Sequence, residues 1–293
     1  MKPADLALTL FIMLVWGLNF VAAKWGLEQF PPILMIALRF AIVAILLLPF
    51  VKMPRDKMAG ILALSFTLGG VHFGLMFTGL RDLDASAAAI ATQLQVPFAA
   101  IIAAVVLKDT LGWRRIAGMA IAFIGIVIMA GEPRFSDDLT PLFMVIAATF
   151  MWAVANIQIK KLGAVDGFAL NAYLGLLATP QLLLASALLE TGQIEAIRQA
   201  DWLGWLSVAY MAILVTLVSY ALWFRILRRY PVNLAMPFTL LVPVFGVLSA
   251  VLLLNEPLGW RVVLGGIATI AGVAIIVLRR PRLAEPEATS KTV

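Results

Sequence analysis

The chain has 293 residues, of which 63% are hydrophobic and only 13% are charged. Soluble globular domains carry about 25% charged residues, so this composition excludes a soluble domain and indicates a protein solvated mostly by lipid. The net charge of +6 does not indicate nucleic-acid binding, because basic residues gather at cytoplasmic helix ends in membrane proteins, and the absence of cysteine excludes disulfides and thiolate chemistry.

Ten apolar segments follow one another along the chain, and each approaches the roughly 20 residues that a transmembrane helix needs. The breaks between them are short and carry proline or charged residues. In chain order the predicted helices are residues 5–25, 33–51, 59–80, 86–107, 113–131, 140–161, 168–189, 203–226, 233–254 and 260–279. The sequence therefore predicts an all-α integral membrane protein with ten transmembrane helices.

The seventh break, residues 190–201, is longer than the others. The apolar residues Ile194, Ile197 and Trp202 predict a short helix there, lying in the membrane interface. Beyond the tenth helix, the polar residues 281–293 are predicted to form a disordered cytoplasmic tail.

The first segment also has features of a signal peptide, with Lys2 before an apolar run and small residues before Lys24. The sixth segment resembles it, because Trp152 precedes Lys160 by the same eight residues that separate Trp16 from Lys24. We therefore interpret the first segment as a retained helix, with the signal peptide as the alternative.

Lysine and arginine are unevenly divided between the two membrane sides. If the N-terminus is cytoplasmic, 16 of the 22 basic residues lie on that side and 6 lie outside, with Lys24 and Arg39 among the latter. This bias predicts that both termini are cytoplasmic, and an even number of helices agrees with that prediction.

Two stretches of the sequence repeat each other, Leu-Lys-Asp-Thr-Leu-Gly-Trp-Arg at 107–114 and Leu-Asn-Glu-Pro-Leu-Gly-Trp-Arg at 254–261. Matched residues are 147 apart, and each copy leads into a helix with two glycines at the same spacing, Gly118 and Gly125 or Gly265 and Gly272. A repeat on this scale outranks local pattern in predicting a fold. The glycine pairs favour close helix packing over a binding role.

Five helices per half is an odd number, so the second half would enter the membrane from the opposite side. We therefore predict an inverted repeat, with residues 1–134 as the first five-helix half and residues 135–280 as the second. Inverted repeats are a common basis of alternating access around a site near the bilayer midplane.

These features resemble the EamA branch of the drug/metabolite transporter superfamily. The resemblance rests on the ten helices in two halves, on Trp-Gly-x-Asn at 16–19, and on the Leu-Gly-Trp-Arg turn before a glycine-rich last helix in each half. It covers residues 5–280 and implies a helical basket in a bacterial inner membrane that exports amino acids or related metabolites. Within the family, the aromatic amino acid exporter type is the nearest resemblance.

Polar and aromatic side chains inside the predicted helices are candidates for a substrate site, because such groups are costly in lipid and turn toward protein or a cavity. They follow helical spacing on the first, fourth, sixth and eighth helices, and the third helix adds the only histidine with a threonine further along. The candidates comprise Trp16, Asn19, His72, Thr78, Ser86, Gln93, Trp152, Asn156, Tyr220 and Trp223. An aromatic cavity of this kind suits a small zwitterion or an ammonium group. The alternatives are interfacial anchoring for the aromatic residues and helix–helix packing for the polar ones, including His72.

Pro97 and Pro243 occupy matching places in the fourth and ninth helices. A proline removes a backbone hydrogen bond and kinks a helix, so both are candidate hinges, with fixed kinks as the alternative.

All sixteen acidic residues fall in predicted loops, helix ends or the tail. Proton-coupled carriers commonly place a carboxylate or histidine at membrane depth, and here His72 alone is available, with Lys24 and Arg39 as cationic helpers. The sequence therefore favours facilitated diffusion over proton antiport, which stays as an alternative.

Other function classes lack support. The close acidic pairs, Asp82 with Asp84 and Asp137 with Asp138, have no basic phosphate cradle beside them, and the chain has no P-loop. We expect no enzyme activity, no metal and no cofactor. The expected partners are a small-molecule substrate and the lipid bilayer, and the alternative cargo is a cationic or lipophilic drug.

Overall fold

The computed structural model describes residues 1–106, 112–132, 138–230 and 232–278. Within these ranges ten helices are long and apolar enough to cross a membrane, and no strand occurs. We number them in chain order as α1 Pro3–Leu27, α2 Pro32–Phe50, α3 Arg55–Asp82, α4 Ala85–Val106, α5 Trp113–Ala130, α6 Thr140–Leu162, α7 Gly167–Leu189, α8 Trp202–Leu227, α9 Met236–Leu254 and α10 Trp260–Val277. The predicted all-α fold with ten membrane helices is confirmed.

A short helix occurs in the seventh break as predicted, at Gln193–Gln199, and it contains Ile194 and Ile197, but Trp202 was wrongly assigned to it and instead begins α8. Its Ile194 is 68% exposed, and Trp202 at the start of α8 is 73% exposed, as apolar residues facing lipid would be. The predicted tail, residues 281–293, and most of the first copy of the repeated turn, residues 107–111, lie outside the described residues.

Apart from the 3₁₀ turns Leu48–Phe50 at the end of α2 and Arg55–Lys57 at the start of α3, four of the ten helices contain a segment that departs from α geometry. In α3 and α8 the departure is a π segment, Ser65–His72 and Tyr210–Val218, with one more residue between hydrogen-bonded partners than an α-helix has. In α4 and α9 it is a 3₁₀ segment, Thr92–Leu94 and Met236–Leu240. The same kind of irregularity thus occurs in α3 and α8, and again in α4 and α9.

The prolines explain the 3₁₀ segments. Pro97 and Pro243 are the third residues of the α-helical stretches Gln95–Val106 and Leu241–Leu254, and neither can donate a hydrogen bond to the carbonyl four residues back. The chain tightens just before each of them, so that the amide of Gln95 reaches the carbonyls of Thr92 and Gln93, and the amide of Leu241 reaches those of Phe238 and Thr239.

The packing partners of the helices follow one rule. Helix α1 packs against α8 and α9, and α6 packs against α3 and α4, while α2 pairs with α7 and α5 pairs with α10. If each helix of the first five is exchanged with its counterpart in the second five, α1 with α6, α2 with α7 and so on, the same set of helix pairs results. Each group of five helices is therefore interleaved with the other, and the core lies between them.

Helices α5 and α10 approach each other through their glycines. A Cβ atom placed on Gly125 would lie 2.5 Å from the carbonyl oxygen of Gly265, and one on Gly118 would lie 2.7 Å from that of Gly272. The Thr269 hydroxyl shares its proton between the Gly265 carbonyl of its own helix, at 2.8 Å, and the Ala122 carbonyl across the interface, at 3.3 Å. Small residues let the two backbones come this close, which is how helices associate without a hydrophobic driving force in lipid.

For orientation we call the side of the bundle where α1 begins and α10 finishes the terminal end, and the other side the opposite end. Polar contacts tie helix ends together on both sides. At the terminal end, the buried Asp5 carboxylate accepts hydrogen bonds from the Tyr230 hydroxyl at 2.9 Å and from Arg229 at 3.2 Å. These contacts fasten the start of α1 to the end of α8.

Carboxylates cap two helices at the opposite end. Glu190, which follows α7, accepts from the amides of Ile33 and Leu34 at 2.7 and 3.0 Å. Glu256, in the second copy of the repeated turn, accepts from the amides of Ala85 and Ser86 at 2.6 and 3.0 Å. The first amides of a helix have no partner within it, so both carboxylates satisfy the starts of α2 and α4 and favour their dipoles. In its second copy the repeated turn is a structural corner.

Candidate functional site

Three predicted residues meet between α1 and α8, and we call Trp16, Tyr220 and Trp223 the α1/α8 cluster. The Trp16 ring lies 5.8 Å from the Tyr220 ring and 5.6 Å from the Trp223 ring, centroid to centroid, at tilted and edge-on angles that aromatic pairs favour. Trp223 is buried, while Trp16 and Tyr220 are partly buried. These aromatic residues form the interior contact of α1 with α8 and not an anchor at the membrane surface.

A second aromatic cluster occupies the matching place between α3 and α6. His72 lies 5.0 Å from Trp152 and 4.6 Å from Phe73, and Phe73 lies 6.4 Å from Trp152. We call these three residues the α3/α6 cluster. Sequence reasoning identified His72 and Trp152 but not Phe73, which resembles any other apolar residue of the helix.

His72 is hydrogen-bonded as well as packed. Its Nδ1 lies 2.7 Å from the carbonyl oxygen of Ala148 in α6, and a carbonyl accepts only, so Nδ1 carries the proton and donates. The ring is buried, and the bond fixes its orientation within the α3/α6 cluster. His72 therefore contributes to the joint between α3 and α6.

Arg39 lies between the two clusters and was missed as a site residue. Its side chain is 5% exposed, its guanidinium carbon lies 5.0 Å from the centre of the Phe73 ring, and Nη2 donates to the Thr216 hydroxyl of α8 at 3.0 Å. The positive-inside count placed this arginine at the outer surface. The signal that identifies it is a single charge within the apolar run 33–51.

The polar stripe of α4 faces the interior. Ser86, Gln93 and Pro97 are buried, and α4 packs against α6 and α9. The Ser86 hydroxyl oxygen and the side-chain amide oxygen of Asn19, in α1, are buried without a hydrogen-bond partner in the described part of the chain. Buried polar groups are nearly always paired, so these two oxygens are free to receive a ligand or water.

Besides Asn19, Ser86 and Gln93, described above, two more predicted residues lie outside the two clusters. Thr78 is partly buried, six residues beyond His72 toward the opposite end. Asn156, four residues after Trp152, is exposed on the surface of α6. Spacing along a helix identifies a shared face only approximately, and here Trp152 points inward while Asn156 does not.

Lys24 has a structural role. Its ammonium group donates to the carbonyls of Leu80, Arg81 and Leu83 at 3.2, 2.9 and 3.1 Å, where α3 ends. A lysine here satisfies carbonyls that the helix leaves unpaired and interacts favourably with its dipole. The prediction that Lys24 assists proton transfer is not supported, because its donors are occupied by the end of α3.

A surface depression of about 410 Å³ opens at the opposite end, near the junction of α1 and α2. It is lined by Glu28, Arg81 and Glu190 among others and contains none of the predicted site residues. Nearby, hydrogen bonds from the Gln29 side chain and from the amides of Gly204 and Leu203 hold the pKa of Asp201 below its ordinary value. These contacts cap α8 and join it to the loop after α1.

Comparison with known proteins gives the family. Residues 4–131 and again residues 139–278 match the EamA-like transporter family. Proteins called "Probable amino-acid metabolite efflux pump" from Salmonella typhimurium and Escherichia coli are 32% and 30% identical to this chain, in alignments that cover 94% of it and 95% of each relative.

More distant relatives agree. The Escherichia coli protein called "Uncharacterized inner membrane transporter YedA" is 22% identical, over 81% of this chain and 78% of its own. A solved crystal structure with 17% identity superposes with a TM-score of 0.60 over 95% of this chain and 98% of that one, which shows the same fold. The two family matches and the ten apolar helices together show that this chain belongs to the EamA-like transporter family, as a multi-pass protein of the bacterial inner membrane and not an enzyme.

Proposed function

We propose that this protein exports amino acids, aromatic or other neutral ones, or closely related metabolites out of the cytoplasm. The observation that carries the proposal is the pair of aromatic clusters, α1/α8 and α3/α6, at the two matching helix contacts, with Arg39 reaching Phe73 of one and α8 of the other. Ring faces there suit an apolar or aromatic side chain, and the unpaired side-chain oxygen of Asn19, three residues from Trp16 in α1, suits an ammonium donor. The names of the two relatives above support the same cargo class.

The two halves, residues 1–134 and 135–280, are proposed to have opposite orientations in the membrane, with the terminal end cytoplasmic. The interleaved pairing of helices and the double family match support this arrangement. In the cycle we propose, the cargo enters from the terminal end, binds between the halves, and leaves at the opposite end as the halves rock. The Asp5 contacts with Arg229 and Tyr230 would have to separate for entry.

We propose that export occurs by facilitated diffusion, driven by the concentration gradient of the cargo itself. His72 is engaged with Ala148, Lys24 is engaged with the end of α3, and the carboxylates described here lie at helix ends. In proteoliposomes, efflux of a loaded neutral amino acid should therefore proceed without a pH gradient and change little when one is imposed. Strict dependence on that gradient would establish proton antiport instead. Resistance of expressing cells to cationic drugs, but not to toxic amino acid analogues, would establish the drug-exporter alternative.

Replacing one aromatic and one amide side chain of the proposed site by alanine tests whether each contributes to transport. Trp152→Ala and Gln93→Ala should each lower efflux at least about tenfold, because each removes a contact of order 1–2 kcal/mol while the membrane helices stay intact. The matched controls are Trp202→Ala and Gln199→Ala, since both side chains are exposed at the opposite end. Normal efflux by both site variants at wild-type expression would place the cargo elsewhere.

The two prolines are proposed hinges. Pro97→Ala and Pro243→Ala restore an amide donor and let α4 and α9 straighten, so we expect efflux to slow several-fold while cargo affinity stays within about twofold. Pro180→Ala is the control, because Pro180 lies exposed inside the regular helix α7. Unchanged rates in both variants, measured by single-turnover efflux, would identify the prolines as fixed kinks.

A further inference from the structure

The position of Arg39 is unusual for a charged residue. Helix α2 begins at Pro32, so Arg39 lies seven residues along it, which at about 1.5 Å per residue is about 10 Å from the helix start. Its side chain is buried among protein and not turned to the membrane surface. Charged residues at such depth are costly, face the bundle interior and mark substrate or ion pathways.

The guanidinium of Arg39 is incompletely satisfied. It has five N–H donors, and among the described residues it makes one hydrogen bond, from Nη2 to the Thr216 hydroxyl. Its Nε is buried without an acceptor in the described residues. The Phe73 ring, whose centre lies 5.0 Å from the guanidinium carbon, contributes a weak attraction but carries no negative charge.

The charge of Arg39 is also uncompensated. None of the ion pairs found in the described ranges includes it. The nearby helix segments contribute Thr216, Tyr220, His72 and Phe73, and none of these side chains supplies a negative charge. Glu190 and Glu256 are committed to helix starts at the opposite end. A buried cation without a counter-charge is strongly unfavourable, and the missing negative charge has to come from outside the chain.

We infer that Arg39 binds the carboxylate of the transported molecule, so that the cargo is an anion or a zwitterion. This inference rests on the proposed export function and narrows its cargo. The planar guanidinium presents paired N–H donors that match a carboxylate in a bidentate arrangement. Thr216 and Phe73 hold the group from α8 and α3, the two helices with π segments, so the guanidinium that would bind the carboxylate is itself in contact with both groups of five helices. A lipophilic cation would be repelled from the same place.

The test compares acids with amides of the same shape. Wild-type protein in proteoliposomes should transport phenylalanine at least about tenfold faster than phenylalaninamide, as expected for loss of one charge-assisted contact. Arg39→Gln should lower phenylalanine transport by the same factor and leave phenylalaninamide within about twofold. Arg39→Lys should retain part of the preference, and Arg198→Gln, on the exposed short helix, should retain all of it. If Arg39→Gln lowers acid and amide transport equally, Arg39 only holds helices together.

A binding measurement separates this inference from the proposed function. Purified protein should melt at a higher temperature with 3-phenylpropionate and not with 3-phenylpropionamide, and the Arg39→Gln protein should respond to neither. If wild-type protein moves no amino acid but is stabilised by the carboxylate, the proposed cargo is wrong and the anion site stands. If neither amino acids nor simple carboxylates stabilise the folded wild-type protein, the inference is overturned whatever the protein transports.

Discussion

Gly125→Ala is expected to destabilise the protein by about 3 kcal/mol, near the upper end for an overpacked core. The new methyl group would lie 2.5 Å from the Gly265 carbonyl oxygen and 2.6 Å from the Thr269 amide nitrogen. Both neighbours are backbone atoms of α10, so the whole helix has to move away, and the hydrogen bond from Thr269 to Ala122 is lost with it. Thermal unfolding of the purified protein in detergent measures the effect.

Gly74→Ala is the matched control, because it makes the same chemical change in α3 where nothing lies within 4 Å of the added carbon. Alanine is the better helix former, so this variant should unfold at the same temperature or a higher one, with a gain of up to about 1 kcal/mol. Equal stability of the two variants would show that α5 and α10 tolerate separation, contrary to the packing described above.

Glu256→Ala is expected to cost about 3 kcal/mol. The carboxylate is 9% exposed and accepts from two amides at the start of α4, and its removal leaves both donors buried without a partner. Glu256→Gln keeps one acceptor oxygen and should lose about half as much. Glu28→Ala removes an exposed carboxylate at the same end of the bundle and should change the unfolding temperature little. A Glu256→Ala protein as stable as wild type would mean that water replaces the cap.

The membrane helices were predictable because lipid imposes a simple requirement on sequence. Each predicted segment matches a helix to within four residues at either end, and the largest difference is at the start of α3, where Arg55 and Lys57 precede the apolar run. Length and apolar content decide the span, and the chain must satisfy its backbone hydrogen bonds internally. The short helix Gln193–Gln199 was predictable for the same kind of reason, from its apolar spacing.

The site was predictable only in part. Tryptophan and histidine stand out in an apolar helix, so Trp16, His72, Trp152 and Trp223 were identified, whereas Phe73 did not differ from its apolar neighbours. Whether Trp152 and Asn156 both point inward depends on how α6 is rotated about its axis, and the sequence does not determine that rotation.

Long-range contacts were the least predictable feature. Arg39 meets Thr216 across 177 residues, and Glu256 meets Ala85 across 171 residues. Both contacts depend on which helices become neighbours, and hydropathy carries no such information. The π segments escaped prediction as well, because hydrogen bonds one residue longer than normal leave no distinct residue pattern in an apolar run.

The two carboxylate caps set an order for assembly during synthesis. Glu190 is translated 157 residues after Ile33, and Glu256 is translated 171 residues after Ala85, so α2 and α4 are made long before the groups that complete their first turns. A nascent chain that stops before Glu190 therefore holds α2 and α4 without the carboxylates that cap them in the folded protein. Final packing of those helices follows insertion of the last ones, and the early half matures only when its late partner has arrived.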